Sequence, residues 1–309
     1  MSPPVLISWN AELLRVALRI VNRRPGRRLQ PAAKVRERLR RIEPFVPRPP
    51  KGTTTLALDA DGIPALRIDV PQARRDRCVL FFHGGGYSYG NAPLYQDFMW
   101  RVGTATRASV LYFDYRLAPE HPFPAALDDA VRVARWVPTQ FDPQRTAFVG
   151  DSAGGGLVLA TVKKLRDQAD TLPRAVVAIS PWTDLALTGQ SLRTNYKADP
   201  MMEASQFPEI AKRYLGKADP HDPYVSPLYG NAARLPPTLI HAGGDEVLLD
   251  DAVRMAEAMR AAGCEVELDV WPKMPHVWHL YARLIPEGRE AIGRAGRFVQ
   301  DIWGGDAAR

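Results

Sequence analysis

Residues 150–154 read Gly-Asp-Ser-Ala-Gly, a G-x-S-x-G pattern in which one serine stands between two glycines. The pattern follows a β-branched and aromatic run at 146–149 and opens an apolar helical pattern at 154–168. A serine on such a tight strand-to-helix turn has strained backbone and an exposed hydroxyl, and side chains two positions away would collide with the turn. The pattern therefore predicts that Ser152 is a nucleophile.

A serine hydroxyl needs a base and an orienting acid before it can attack a carbonyl. In α/β hydrolases these partners follow the serine in the order acid, then histidine. His276 lies in a loop after the predicted strand at 265–270, where this order expects the base. His241 lies inside an earlier predicted strand, and His279 fits the first turn of the next helix. We therefore predict that His276 is the base.

Two neighbouring carboxylates are candidates for the acid. Asp245 and Glu246 come directly after the predicted strand at 238–241. Asp250 and Asp251 suit the start of the next helix, where the macrodipole stabilises negative charge. From the residues alone, the choice between Asp245 and Glu246 stays open.

A second glycine-rich stretch, HGGGYSYG at 83–90, follows the predicted strand at 78–82. Tyr89 stands where the third glycine of a G-x-G-x-x-G dinucleotide loop would fall, and no G-K-[ST] ending follows. Bare backbone amides beside a nucleophilic serine are instead suited to stabilising an oxyanion. The stretch therefore favours acyl transfer over phosphate binding.

Short β-branched or aromatic runs alternate with helix-length patterns after residue 50. The strands are predicted at 54–58, 65–70, 78–82, 109–114, 146–149, 175–179, 238–241 and 265–270. The helices are predicted at 93–106, 124–137, 154–168, 251–262 and 286–303. This alternation predicts a three-layer α/β fold with a mostly parallel sheet, whose first two strands form an antiparallel hairpin at one edge.

Composition and charge narrow the function classes. The 309 residues are 46% hydrophobic and 24% charged, which is typical of globular proteins. No apolar run reaches the roughly 18 residues of a membrane span, and charged residues interrupt any signal-peptide core, so we expect a cytoplasmic protein without an integral membrane segment. Cys78 and Cys264 are expected to be buried thiols within strands. The histidines and cysteines show no metal-ligand spacing.

Positive charge is concentrated at the N-terminus. Residues 1–48 contain 12 Lys or Arg against three Glu, a net charge of +9, so the remainder of this +7 chain carries −2. The first arginines of this N-terminal segment lie beside apolar residues at helical spacing: Arg15, Arg19, Arg23, Arg24, Arg27 and Arg28. This spacing predicts an amphipathic helix and a basic linker, with a solvated face favoured and contact with a membrane surface or acidic partner as the alternative. No aromatic-basic motif supports nucleic-acid binding.

Seven motifs in order carry a resemblance to a known family. They are HGGG at 83–86, YRLAPEHPFPAALDDA at 115–130, GDSAGG at 150–155, SPWTDL at 180–185, DPYVSPLYG at 222–230, DEVLLDD at 245–251 and MPHVWH at 274–279. Together they resemble the hormone-sensitive lipase family of bacterial esterases and lipases, family IV of the α/β hydrolases. The resemblance implies an α/β hydrolase with a mostly parallel eight-stranded sheet flanked by helices and a helical cap. We expect a cap segment at 1–45 and a catalytic domain at 46–309, in which 182–228 adds further cap elements.

The resemblance also bears on the acid. Many family members read D-P-L-x-D-E, in which a leucine follows the catalytic acid by two residues and an aspartate by four. Glu246 has Leu248 and Asp250 at these offsets, which favours Glu246. Counting forward from the strand end selects Asp245 instead.

The family assigns roles to the glycine run as well. By resemblance, Gly85 and Gly86 donate N–H groups to the oxyanion, and Gly84 shapes the turn. A further N–H comes from Ala153, the residue after the nucleophile. His83 becomes a positioning residue.

The resemblance implies a carboxylic ester hydrolase that acts through a serine acyl-enzyme on a small-molecule ester and needs no cofactor. Acyl chains of about two to eight carbons are expected. A lactone hydrolase, or a non-catalytic binding protein on the same fold, is the alternative. Relatives often pair through the edge strand near the C-terminal histidine motif, so a homodimer is expected.

Several large side chains are candidates for an apolar substrate pocket, with packing of the cap as the alternative for each. They are Tyr87, Tyr89, Trp182, Met201 and Met202, together with Trp9, Leu13, Leu14, Phe207 and Tyr214.

Overall fold

The computed structural model describes residues 7–22 and 29–304, and every predicted strand and helix after residue 50 is present within these ranges. The strands are β1 Thr54–Asp59, β2 Pro64–Asp69, β3 Arg74–Phe82, β4 Ala108–Phe113, β5 Thr146–Asp151, β6 Ala175–Ile179, β7 Thr238–Gly243 and β8 Val266–Trp271. The described α-helices are α1 Trp9–Asn22, α2 Ala32–Arg40, α3 Ala92–Thr106, α4 Ala125–Trp136, α5 Ala153–Asp167, α6 Ser191–Thr194, α7 Phe207–Leu215, α8 Leu249–Ala261 and α9 Pro286–Ile302. The arginines at 23, 24, 27 and 28 of the predicted basic linker lie outside the described residues.

The strands form one sheet in the order β1-β2-β4-β3-β5-β6-β7-β8. β1 pairs antiparallel with β2, and β2 pairs antiparallel with β4. From β4 to β8 every neighbouring pair is parallel. The predicted eight-stranded, mostly parallel sheet with an antiparallel hairpin at one edge is confirmed.

The strands β4, β5, β6 and β7 are buried along their whole length, because helices cover both faces of the sheet. On β3, Leu80 and Phe82 join a core that includes side chains of α4, α5 and α8. Their neighbours Val79 and Phe81 join a second core with side chains of α3 and α9. This alternation follows from the two-residue period of a strand and produces the three layers.

The carboxyl ends of the parallel strands lie at one edge of the sheet, where α/β folds form their sites. The chain leaves β3 at Phe82, β5 at Asp151 and β7 at Gly243. Since these strands and β8 all run in the same direction, the loops that follow them converge. The glycine run, the serine turn, the acidic pair and the His276 loop therefore meet at this edge.

The described parts of the two predicted cap segments, 1–45 and 182–228, are anchored to this end of the molecule and to each other. In α2, Arg36 donates to the carbonyl oxygens of Ser88 and Ala118, each at 2.7 Å. In α7, Arg213 donates to the carbonyl oxygen of Gln30 at 3.1 Å. These bonds hold both segments beside the loop that contains the glycine run.

The two cysteines are free thiols. Cys78 is buried in β3, as predicted. Cys264 is half-buried and precedes β8, so its prediction as a buried strand residue was wrong. Its thiol donates to the carbonyl oxygen of Ala232, which holds it at the start of the strand instead.

The described ranges contain neither a membrane-spanning helix nor a metal-binding cluster. None of the helices there combines the length and the apolar character needed to cross a bilayer. In the same ranges, no group of three or more His, Cys, Asp or Glu side chains comes together in a way that could hold a metal ion.

Candidate active site

Ser152 occupies the sharp turn between β5 and α5. Its backbone has φ 55° and ψ −123°, which L-residues rarely adopt. A Cβ on Gly150 would lie 2.7 Å from the carbonyl carbon of Gly154, and one on Gly154 would lie 2.7 Å from the carbonyl carbon of His83. Contacts this short exclude any side chain, so the close approach of the backbone explains both glycines of the pattern. The turn is held in place because the Ser152 N–H donates to the carbonyl oxygen of Ile179 at 2.8 Å.

Ser152, His276 and Glu246 form one continuous hydrogen-bonded chain. The Ser152 Oγ lies 2.8 Å from His276 Nε2, and His276 Nδ1 lies 2.7 Å from Glu246 Oε2. The second carboxylate oxygen, Oε1, accepts the N–H of Gly243 at 2.8 Å. All three side chains are buried, with Ser152 the most exposed at 8%. An imidazole held between a hydroxyl and a buried carboxylate can take the serine proton and stabilise the charge that results.

The surroundings of His276 favour its protonated form. Burial by itself would lower the pKa of the imidazole. The hydrogen bond and negative charge of Glu246 outweigh burial, with smaller contributions from Asp199 and Asp151, so the pKa lies above its ordinary value of 6.5. A proton accepted from Ser152 is therefore stabilised on the ring.

Asp245 faces away from the histidine. Its carboxylate forms an ion pair with Arg15 of α1. Its backbone N–H approaches the carbonyl oxygen of Met274 at 3.4 Å. The two neighbouring acids thus point in different directions: the structure brings Glu246 to His276, and brings Asp245 to the N-terminal helix.

The glycine run reaches the serine, but its amides are not equivalent. The Gly84 N–H donates to Tyr95 Oη and to Asp151 Oδ1, each at 3.0 Å. The N–H groups of Gly85, Gly86 and Ala153 make no hydrogen bond within the described part of the chain. The Ala153 amide is free because it opens a helix, where the first N–H groups have no partner. The Gly84 amide is therefore occupied, whereas the amides of Gly85, Gly86 and Ala153 are available to an oxyanion.

Gly85 has the conformation that most requires a glycine in this run. Its φ is +104°, and a Cβ there would meet the backbone of Tyr89. Because any other residue would be both strained and in collision, this position keeps the loop open beside Ser152.

Sequence reasoning missed the residues that brace the glycine run. Asp151 accepts from Gly84 through one oxygen and from Tyr95 Oη through the other, at 3.0 Å each. Burial raises the pKa of Asp151 to about 7. The only sequence signal was its position between a strand and the nucleophile, since Tyr95 is 56 residues away along the chain.

His83, predicted as a positioning residue, stacks on Tyr115 with ring centroids 4.2 Å apart. Its Nδ1 donates to the carbonyl oxygen of Gly84 at 2.7 Å. Burial lowers the pKa of His83 to about 4, so the ring is neutral near pH 7. The histidine thus holds the first carbonyl of the run.

The other histidines considered for the base bond elsewhere. His241 Nδ1 and His279 Nε2 lie 3.0 Å apart, and both rings are fully buried. Burial lowers the pKa of each. His221 is exposed and pairs with Asp219 at 3.2 Å.

A small cleft of about 140 Å³ opens at Ser152 and His276. Of the predicted pocket residues, it is lined by Tyr89, Trp182, Met201, Met202 and Phe207. Residues not predicted also contribute, namely Tyr95, Ile210, Val277 and Leu280. The cleft is thus mostly apolar around the hydroxyl.

Several predicted pocket residues lie elsewhere. Tyr87 is buried and stacks on Tyr214 with ring centroids 3.6 Å apart, so both pack in the core. Leu14 packs in a cluster with Met274 and Trp278. Trp9 and Leu13 are exposed on α1. Tyr87, Tyr214 and Leu14 therefore follow the alternative of packing, and Trp9 and Leu13 do neither, because residues around a turn or a helix face different surroundings.

A larger groove of about 720 Å³ shares Gly85, Tyr89, Tyr95, Met201 and Leu280 with the cleft. Its outer wall comes from the end of α2, the segment after it and the loop before α9, through Leu39, Ile42, Phe45, Val46, Tyr281 and Leu284. The reacting centre therefore opens on one side into a wide apolar channel.

The sheet, the serine turn and the order of serine, acid and histidine define the α/β hydrolases. A sequence profile of the alpha/beta hydrolase fold matches residues 79–280, so the chain belongs to that family. Within it, the structure superposes on the crystal structure of an esterase from the bacterial hormone-sensitive lipase family with a TM-score of 0.90. The two share 38% identity, covering 97% of this chain and 100% of the other. The predicted resemblance is confirmed: this is a bacterial hormone-sensitive lipase family member.

Similar proteins are named for ester hydrolysis. An acetyl-hydrolase of Streptomyces hygroscopicus is 43% identical over 237 residues, which is 76% of this chain and 79% of the relative. The crystal structure of EstE5 soaked with p-nitrophenyl butyrate superposes with a TM-score of 0.91 at 37% identity, covering 96% of this chain and 99% of EstE5. The chain is a carboxylic ester hydrolase, as predicted.

Proposed function

We propose that this hydrolase cleaves esters through a serine acyl-enzyme, with Ser152 as nucleophile, His276 as base and Glu246 as the acid. The observation that carries the proposal is the unbroken chain from Ser152 Oγ through His276 to Glu246, with links of 2.8 and 2.7 Å. Both links are within the reach that proton transfer requires. Three unpaired amides beside the hydroxyl complete the arrangement.

In the first step, Ser152 Oγ forms a bond to the ester carbonyl carbon as His276 Nε2 takes the hydroxyl proton. The carbonyl electron pair moves to oxygen, and the N–H groups of Gly85, Gly86 and Ala153 stabilise the negative charge. These donors are fixed before the reaction and need no reorganisation, which makes their contribution large. The C–O bond to the alcohol then breaks, and the alkoxide takes the proton from His276.

In the second step, water replaces the alcohol. His276 accepts a proton from the water as its oxygen bonds to the acyl carbon, and the same amides stabilise the second oxyanion. Collapse breaks the bond to Ser152 Oγ, which takes the proton back. The products are a carboxylic acid and the original enzyme.

The cleft supports short to medium acyl chains. Its volume of about 140 Å³ is well below the roughly 300–1,000 Å³ of a drug-sized ligand site. The related EstE5 was soaked with a four-carbon acyl ester. We propose that the small cleft takes the acyl group and that the adjoining groove of about 720 Å³ takes the alcohol.

A p-nitrophenyl ester series from acetate to palmitate, with lactones in the same panel, tests both proposals. We expect kcat/KM to peak between about two and eight acyl carbons. Mass spectrometry after rapid quenching should find the acyl group on Ser152. Ser152→Ala should show no acylation and lose nearly all turnover while keeping the wild-type circular dichroism. A maximum at palmitate would refute the acyl assignment, and turnover by Ser152→Ala close to the wild-type rate would refute the nucleophile.

A further inference from the structure

The first helix carries an apolar stripe that nothing in the described chain covers. Trp9 and Leu13 are 84% and 64% exposed, and Val16 and Ile20 are each more than half exposed. At 100° per residue these four positions fall within about 60° of one another around α1. The opposite face holds the buried Ala11. An apolar residue alone on a surface is ordinary, but four on one stripe mark an interaction surface.

Contacts at three points along α1 fix the direction of this stripe. Near its start, Asn10 Nδ2 donates to the carbonyl oxygen of Leu284 at 3.2 Å. In the middle, Arg15 pairs with Asp245. Near its end, Arg19 donates to the carbonyl oxygen of Ala198 at 3.1 Å. The buried side of the helix is thereby tied to the body, and the stripe is held outward.

The stripe begins beside the mouth of the large groove. Leu284, whose carbonyl oxygen binds Asn10, lines that groove and is half exposed. Across the groove, Phe45 is 81% exposed and Ile42 is also largely open to solvent. Exposed apolar side chains therefore continue from α1 to the rim of the channel that leads to Ser152.

The charge of this segment favours an anionic occupant. Residues 1–48 carry a net charge of +9. Of their exposed cations, Arg19, Lys34, Arg38 and Arg40 form no ion pair with the described part of the chain. A second copy of the chain would bring the same positive segment against this one, which like-charge repulsion opposes. An anionic lipid surface offers both an apolar interior and negative charge.

We propose that α1 is an interfacial helix that docks the enzyme on an anionic lipid surface, with the groove mouth turned toward the lipid. Trp9, Leu13, Val16 and Ile20 enter the headgroup region, and the exposed cations of α2, Lys34, Arg38 and Arg40, contact the phosphate groups. Esters dissolved in the membrane then reach the channel without crossing bulk water. Docking goes beyond the proposed hydrolytic mechanism and does not depend on it.

Sedimentation with vesicles tests the docking. Wild-type protein should sediment with vesicles of equal parts phosphatidylcholine and phosphatidylglycerol, and weakly with phosphatidylcholine alone. Trp9→Ser/Leu13→Ser/Ile20→Ser should lower the partition coefficient for the mixed vesicles by about tenfold or more. The control Leu56→Ser/Val270→Ser removes exposed apolar side chains of β1 and β8 and should bind as wild type.

Other outcomes overturn the proposal. Equal binding by wild type and the triple variant, or by mixed and neutral vesicles, would exclude it. If sedimentation velocity finds a dimer that the triple variant dissociates, the stripe is an interface between copies. Circular dichroism and turnover of dissolved p-nitrophenyl acetate should be unchanged in the triple variant and in the control double variant. Loss of hydrolysis with intact vesicle binding would count against the proposed function alone. If the triple variant misfolds, Arg38→Glu/Arg40→Glu carries the same test, because it should lose binding to mixed vesicles with the stripe intact.

Discussion

Replacing Glu246 by glutamine should disable the base by reversing its tautomer. The Gly243 N–H, 2.8 Å from Oε1, needs an acceptor, so the new amide will keep its oxygen there and turn its NH₂ group toward His276 Nδ1. An NH₂ group facing Nδ1 places the imidazole proton on Nε2, against Ser152 Oγ. The ring then cannot accept the serine proton.

The expected loss can be worked from the pair itself. Both Glu246 and His276 are at most 2% exposed, and their atoms are 2.7 Å apart. In the transition state His276 carries the serine proton, and Glu246→Gln leaves this buried charge without its partner. Removing one partner of a buried charged pair costs about 3–5 kcal/mol, which in the transition state corresponds to about 200- to 5,000-fold in kcat at about 1.36 kcal/mol per tenfold. The wrong tautomer moves Glu246→Gln toward the upper end of this range.

Asp245→Asn is the matched control, because it makes the same chemical change one residue away. Asp245 pairs with Arg15 rather than with the histidine, so kcat should stay within about twofold of wild type, with at most about 1 kcal/mol of stability lost. Steady-state hydrolysis of p-nitrophenyl butyrate and thermal unfolding measure both effects. If folded Glu246→Gln keeps more than a tenth of the wild-type kcat, or if Asp245→Asn loses as much as Glu246→Gln should, the assignment of the acid is refuted.

Three further predictions concern the surroundings of the triad. Because the pKa of His276 lies above 6.5 and only the neutral ring accepts a proton, kcat/KM should fall as the pH drops through that raised pKa. In Glu246→Gln the acidic limb of the pH profile should move to lower pH. An unmoved limb would contradict the role of Glu246. Asp151→Asn loses an acceptor for Gly84 or for its tyrosine partner, so kcat should fall by about tenfold to a hundredfold with a smaller change in KM; an effect on KM alone would refute the bracing role. Gly85→Ala, at φ +104°, should displace the loop amides and cost about a hundredfold or more in kcat. Wild-type activity in that variant would refute the requirement for glycine at this position.

Local patterns were sufficient for the elements and for singling out Ser152 and His276, two of the three residues of the proposed triad. The serine turn can be recognised from the sequence because only glycine tolerates the close backbone contacts on either side of Ser152, and both glycines lie within two residues of the serine. The central strands could be predicted from the sequence because burial on both faces of the sheet requires continuous apolar runs. The order of residues then left His276 as the histidine in the right loop. These patterns involve residues close together in the sequence, so they can be recognised without knowledge of the fold.

The tertiary structure alone decided which way neighbouring groups point. Asp245 and Glu246 differ by one position, yet one meets Arg15 across 230 residues and the other meets His276. The amide of Gly84 is occupied and that of Gly85 is free because the Gly84 N–H donates to Tyr95 and Asp151.

Orientation on a turn depends on backbone angles and on partners distant in sequence, which residue spacing does not encode. The serine and its strand are therefore properties of the sequence. The directions of the Asp245 and Glu246 side chains, the partners of the glycine amides and the exposed stripe of α1 are properties of the packed chain.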